Sequence, residues 1–174
     1  MAGRVSHVFT VAVLTLALLA SGAVPAAAAS RTYQDARGDD PSGTDIRQVT
    51  AVNRARLHVK MRFDDLAPRN RSVVFVYVGT DVHPGPEYLV RLPSHGPSVG
   101  RVTRARRWRP TRPVLCDFGW FIAFDTDRTR LHMTRECVEG DRGPVRVAVK
   151  VVSRGGVDWS PRLRRLHRPP VRRG

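Results

Sequence analysis

The stretch from Val73 to Leu92 constrains the fold more than any other part of the chain. Val73 to Val78 is apolar on both parities, which is what a strand covered on both faces requires. Tyr88, Val90 and Leu92 instead share a parity with the charged Arg91 between them, the pattern of a half-buried strand. Pro84, Gly85 and Pro86 lie in the joining segment, so the stretch reads as a β-hairpin whose first strand is central.

The same alternation recurs along the chain. Ile46 opens an extended run to about Asn53; Leu57, Val59, Met61 and Phe63 then alternate with the water-facing His58, Lys60 and Arg62. Phe118, Trp120, Ile122 and Phe124 share one parity, and after a turn at Asp125 to Arg128 the strand carrying Leu131 and Met133 returns to Cys137. Val145, Val147, Val149 and Val151 alternate with Arg146, Ala148 and Lys150, and a short Val157-Asp158-Trp159 segment follows Gly155 and Gly156. Val99 to Trp108 has Val102 as its large aliphatic residue and precedes a break at Pro110 and Pro113. It therefore reads as an edge strand, where charge discourages pairing with other molecules. No apolar stripe of helical period accompanies these runs. The expectation is an all-β, antiparallel sandwich, jelly-roll-like, of about eight or nine strands.

At the N-terminus, Arg4 precedes an apolar run from Val8 to Ala20, then Pro25 and a string of alanines. This is the pattern of a cleaved signal peptide over residues 1–29, too short for a bilayer span, with Ala27 and Ala29 placed for a cut before Ser30. Residues 30–160 are then one sandwich domain, and residues 161–174 a basic, disordered tail. The expected product is secreted, monomeric and without a membrane span. With 41% hydrophobic residues the chain has enough apolar side chains for a compact core.

The formal charge is +15, almost all of it arginine, since Lys60 and Lys150 are the lysines. Such an excess attracts nucleic acid, acidic envelope polymer or lipid headgroups; the plainer reading is the composition of a genome rich in G and C, because the arginines are spread through nearly every strand instead of forming one stripe. The densest basic stretch is Arg101 to Arg112, and within it Arg104, Arg106, Arg107, Trp108 and Arg109 form the candidate ligand site. Arginine interleaved with an aromatic would stack bases or sugars and pair with phosphate; the plainer reading is a solvated edge whose Trp covers the core.

Cys116 and Cys137 flank the hairpin of residues 118–136, so antiparallel pairing brings them together as one disulfide in an exported chain. The acidic lead Asp35, Asp39, Asp40 and Asp45, with Gly38 and Gly43, offers oxygen ligands for Ca²⁺ without matching an EF-hand spacing. Its alternative role is to cap solvated turns. The histidines, His7, His58, His83, His95, His132 and His167, show no zinc spacing, and no serine stands in a Gly-x-Ser-x-Gly elbow. Nothing selects a pair of carboxylates for glycoside hydrolysis.

Asp35-x-x-Gly38-Asp39 with Asp45-Ile46, then Phe63-x-Asp65-Leu66, Val76-Tyr77-Val78-x-Thr80-Asp81, Pro86-Glu87-Tyr88, the two cysteines and Val157-Asp158-Trp159 form an order covering nearly the whole mature chain. In this it resembles small exported actinobacterial proteins of unassigned function, and its early words are similar to those of carbohydrate-binding and DOMON-like sandwich domains. Gly79 departs from the pattern, standing where an Asp would complete an Asp-Thr-Asp turn. The resemblance implies a fold and an extracellular location. Three functional readings follow: a noncatalytic sandwich binding carbohydrate or protein of the cell envelope, with Trp108, Trp120 and Trp159 for sugar stacking; an electrostatic binder of nucleic acid or anionic envelope polymer; and a secreted hydrolase.

Overall fold

The structure, a computed structural model, describes residues 29–174 apart from 39–43, 81–83, 96–98 and 163. The expected signal peptide up to residue 28 lies outside the described residues. The fold is all-β. One sheet has five strands in the order β1 (Ser30–Gln34), β2 (Asp45–Asn53), β3 (Leu57–Asp64), β9 (Arg128–Met133), β8 (Phe118–Ala123). The other has six: β11 (Val157–Ser160), β10 (Val145–Val152), β4 (Val73–Thr80), β5 (Tyr88–Pro93), β6 (Arg101–Arg106), β7 (Arg109–Pro113). Every pairing is antiparallel.

The sheets meet over one core. Val59, Met61 and Phe63 of β3 and Leu131 and Met133 of β9 belong to the same buried cluster as Val74, Val76 and Val78 of β4 and Val147, Val149 and Val151 of β10. Those valines are opposed in register, Val147 to Val78, Val149 to Val76 and Val151 to Val74, so the alternation read from each strand becomes a continuous apolar layer. Asp158, on the inner face of β11, ties the sheets together by accepting a hydrogen bond from the backbone N–H of Ile46 at 2.7 Å, beside a bulge in β2.

β4 is central and covered on both faces, as its sequence demands. Its second parity lies under a smaller cluster on the outside of the six-stranded sheet, made of Tyr77, Leu89, Ala148 and Leu166 with Phe75, Ala105, Trp108 and Trp159 packed around them.

Three expectations are corrected. The described residues form eleven strands against the expected eight or nine, and β4 through β7 run as a simple meander within one sheet, the chain changing sheet after β3, β7 and β9, whereas a jelly roll passes successive strands between sheets. β6 is paired on both sides, and the edge is the fully exposed β7, whose Pro110 and Pro113 suit an unpaired rim. The C-terminal residues are not a disordered tail: Leu166, His167 and Val171 are buried. This segment fills the side of β10 that β11 leaves open. The His167 N–H donates to the Val147 carbonyl at 2.8 Å, and Val145 and Val171 exchange backbone bonds at 3.0 and 2.8 Å. Tyr33 secures it from the other sheet, its ring stacked on His167 and its hydroxyl donating to the Pro169 carbonyl at 2.8 Å.

Candidate functional site

The arginine-rich stretch becomes the β6–β7 hairpin. Arg106 opposes Arg109, and Arg107 and Trp108 form a two-residue turn with positive φ at both positions, 51° and 68°. That geometry matches the twist of the flanking strands. It also throws the Trp108 ring back over the sheet, where it lies 5.0 Å from Tyr77 and edge-on to Trp159 at 5.7 Å, while Tyr77 and Trp159 stack at 5.3 Å. Trp108 is thus half-buried cover for the smaller apolar cluster.

Its arginines are divided. Arg104 forms an ion pair with Glu139 and sets its guanidinium over the Tyr88 ring, 4.9 Å from the centroid; Arg112 reaches the same carboxylate at 3.6 Å. Burial raises the Tyr88 pKa, against the pull of Arg104. Arg106, Arg107 and Arg109 remain exposed together at the hairpin tip. The other two tryptophans are engaged as well. Trp120 stacks on Phe118 at 6.0 Å and lies so close to Gly100 that a Cβ there would come within 2.6 Å of the ring. Trp159 has the Lys150 ammonium 5.4 Å above it.

In the acidic lead, Asp45 is buried and its carboxylate accepts the Gly38 N–H at 2.8 Å, with Arg47 at 3.7 Å. This is turn capping of the kind Asp commonly supplies. Asp35 is half-buried at the end of β1, and Asp39 and Asp40 lie outside the described residues. Among the described residues no group of three or more His, Cys, Asp or Glu side chains is placed to hold a metal ion. Cys116 and Cys137 form the expected disulfide, with Cα atoms 5.1 Å apart.

A second concentration of positive charge without ion pairs among the described residues lies on the outer face of the five-stranded sheet. β3 presents His58, Lys60 and Arg62 outward, and β9 presents His132, Arg130 and Arg128. The register sets them directly opposite one another: His58 to His132, Lys60 to Arg130, Arg62 to Arg128. Like charges in such cross-strand pairs repel. The rows continue without a carboxylate, through Thr50 and Gln48 of β2 and Thr32 and Gln34 of β1 on one side, and through Phe121 and Ala123 of β8 on the other. A shallow depression of about 280 Å³ lies among Thr50, Lys60, Arg62, Arg128 and Arg130. Among the described residues none of the four cations makes an ion pair, although the nearby Asp64 is engaged by Arg37 at 3.6 Å and Arg47 at 3.3 Å.

The field of this face registers on His58. Its pKa is lowered, first by burial and then by the positive charge of His132, Lys60 and Arg56. The sequence signal for the site is a pair of mirrored words, His-x-Lys-x-Arg at 58–62 and Arg-x-Arg-x-His at 128–132, which antiparallel pairing superposes. Reading strands singly gives each word as an ordinary solvated face. No family model, no curated protein and no solved structure matches this chain.

Proposed function

We propose that the protein is an exported, noncatalytic domain that binds anionic polymer through the outer face of its five-stranded sheet. One observation carries the reading. Lys60, Arg62, Arg128 and Arg130 stand in two opposed like-charge pairs with no carboxylate in their rows. A solvated face usually intersperses both signs, and a polyanion supplies the missing countercharge. The overall charge of +15 draws such a ligand in. The disulfide suits an oxidising compartment, and no helix of the described residues is long and apolar enough to cross a membrane. The carbohydrate reading has less support, because Trp108, Trp120 and Trp159 each spend ring surface on intramolecular packing.

The test is binding of inorganic polyphosphate across a salt series. Displacement of counterions by the four ladder cations gives a slope of log K against log salt of about −3, or roughly a 50-fold loss between 50 and 200 mM. Replacing Lys60, Arg62, Arg128 and Arg130 together by Gln should abolish binding, and replacing Arg106, Arg107 and Arg109 by Gln should reduce it only slightly. Salt-independent binding, or full binding by the quadruple variant, would overturn the proposal. The reverse ranking of the two variants would move the site to the hairpin tip.

A further inference from the structure

Phe121 is the residue of the cationic face that simple charge attraction does not use. It is 66% exposed, one of few large apolar side chains so placed among the described residues. It stands on β8, the free edge of the sheet, directly opposite Arg130 and hence in one row with Arg130, Lys60, Thr50 and Thr32. Its neighbours on the same face of its own strand are Gly119 and Ala123, neither of which has a side chain large enough to shield the ring. The His132 imidazole lies over the Gly119 backbone, where a Cβ would come within 2.6 Å of the ring. The face therefore offers a bare aromatic ring next to two opposed pairs of cations.

Resting on the reading of this face as an anionic-polymer site, we infer that its occupant is single-stranded nucleic acid. A base would stack on Phe121 and the adjoining phosphates would lie over Arg130 with Lys60 and Arg128 with Arg62. Cations repeat at about 6.7 Å along each strand and about 5 Å between strands, a spacing on the scale of successive phosphates in an extended chain. Thr50 and Thr32 continue the row with hydroxyls able to bond sugar or phosphate oxygens. Polyphosphate and acidic polysaccharide provide the charge but no planar ring for Phe121. Duplex DNA keeps its bases stacked inward. An unpaired strand answers both features, through stacking that is independent of base identity.

The experiment compares Phe121→Ala, Phe121→Leu and Phe121→Trp with the unaltered chain, using a deoxythymidine oligonucleotide, the same length of duplex, inorganic polyphosphate and phosphatidylglycerol vesicles as probes. Because Phe121 is largely exposed, these variants should fold like the parent, which a thermal midpoint checks. The expected result is preference for the single strand over the duplex, with Phe121→Ala and Phe121→Leu each weakening it about 10-fold, Phe121→Trp holding or improving it, and polyphosphate affinity unchanged throughout. Equal binding of the oligonucleotide by all variants would overturn the inference while leaving the polyanion site intact. Loss confined to vesicles would assign the ring to a lipid surface instead. Failure of the unaltered chain to bind any of the polyanions would remove the underlying reading itself.

Discussion

Lys60 of β3 and Arg130 of β9 face each other across adjacent antiparallel strands with no acidic side chain in their row. Each like-charge cross-strand pair opposes folding by a few tenths of a kcal/mol or more. Their neutralisation therefore separates binding from stability. Lys60→Gln with Arg130→Gln should raise stability by about 0.5 kcal/mol in urea unfolding, and should weaken polyphosphate binding while flattening its salt dependence. A destabilised double variant would show that the cations have intramolecular partners.

Trp108 offers the opposite separation. Its ring covers Tyr77 and packs on Trp159 at the turn of the β6–β7 hairpin. Trp108→Ala should cost about 2 kcal/mol, less than the loss of a fully buried Trp because the ring is half-exposed. Polyanion affinity should stay within twofold of the parent. A stable variant that no longer bound ligand would place recognition at the hairpin.

Acid should destabilise the fold through His167. Its ring is stacked on Tyr33, its Nε2 lies 3.1 Å from the Ser160 hydroxyl, and burial lowers its pKa from 6.5 to about 4. The fold thus favours the neutral imidazole. Its contribution is complete above pH 6.5, declines as pH falls toward 4, and is gone below that, a loss of about 3 kcal/mol. Urea midpoints measured from pH 7.5 to 3.5 should fall across this window, and His167→Gln should flatten the profile. His58, also lowered by burial, acts in the same direction but is more exposed.

The Cys116–Cys137 bond closes a sequence separation of 21 residues. Loop-closure entropy assigns it about 3 kcal/mol. Replacing both cysteines by Ala should lower the urea midpoint accordingly, and reduction of the unfolded parent should add two hydrogens to its mass. An unchanged midpoint would mean that the hairpin of β8 and β9 is held by its ladder alone.

Much of the sandwich was legible residue by residue. Alternation in Leu57 to Phe63 and Val145 to Val151 assigns inner and outer faces because side chains in a strand point to opposite sides in turn. The double parity of Val73 to Val78 announces a strand covered twice, and the cysteines announce their hairpin. The C-terminal segment misled because its arginines and prolines resemble a solvated end, and the few side chains that anchor it, Leu166, His167 and Val171, show no period. Trp108 follows the plainer of its two readings as apolar cover: its neighbours in sequence are arginines, but a turn with positive φ at two residues reverses the ring onto aromatics from β4 and β11, a placement no local period reveals.

The sequence alone determined which side chains of each strand share a face, because that depends only on the two-residue repeat of an extended backbone. Which strands lie side by side is decided by long-range packing of their buried halves. Leu57, Val59 and Met61 and their partners Met133, Leu131 and Thr129 are all buried, and that pairing of β3 with β9 sets the register of the opposite face. His58, Lys60 and Arg62 are an unremarkable exposed edge of one strand until the core brings Arg128, Arg130 and His132 across from them. The concentrated positive face is therefore a product of tertiary structure, since charges far apart in the chain act together only when burial elsewhere fixes them there.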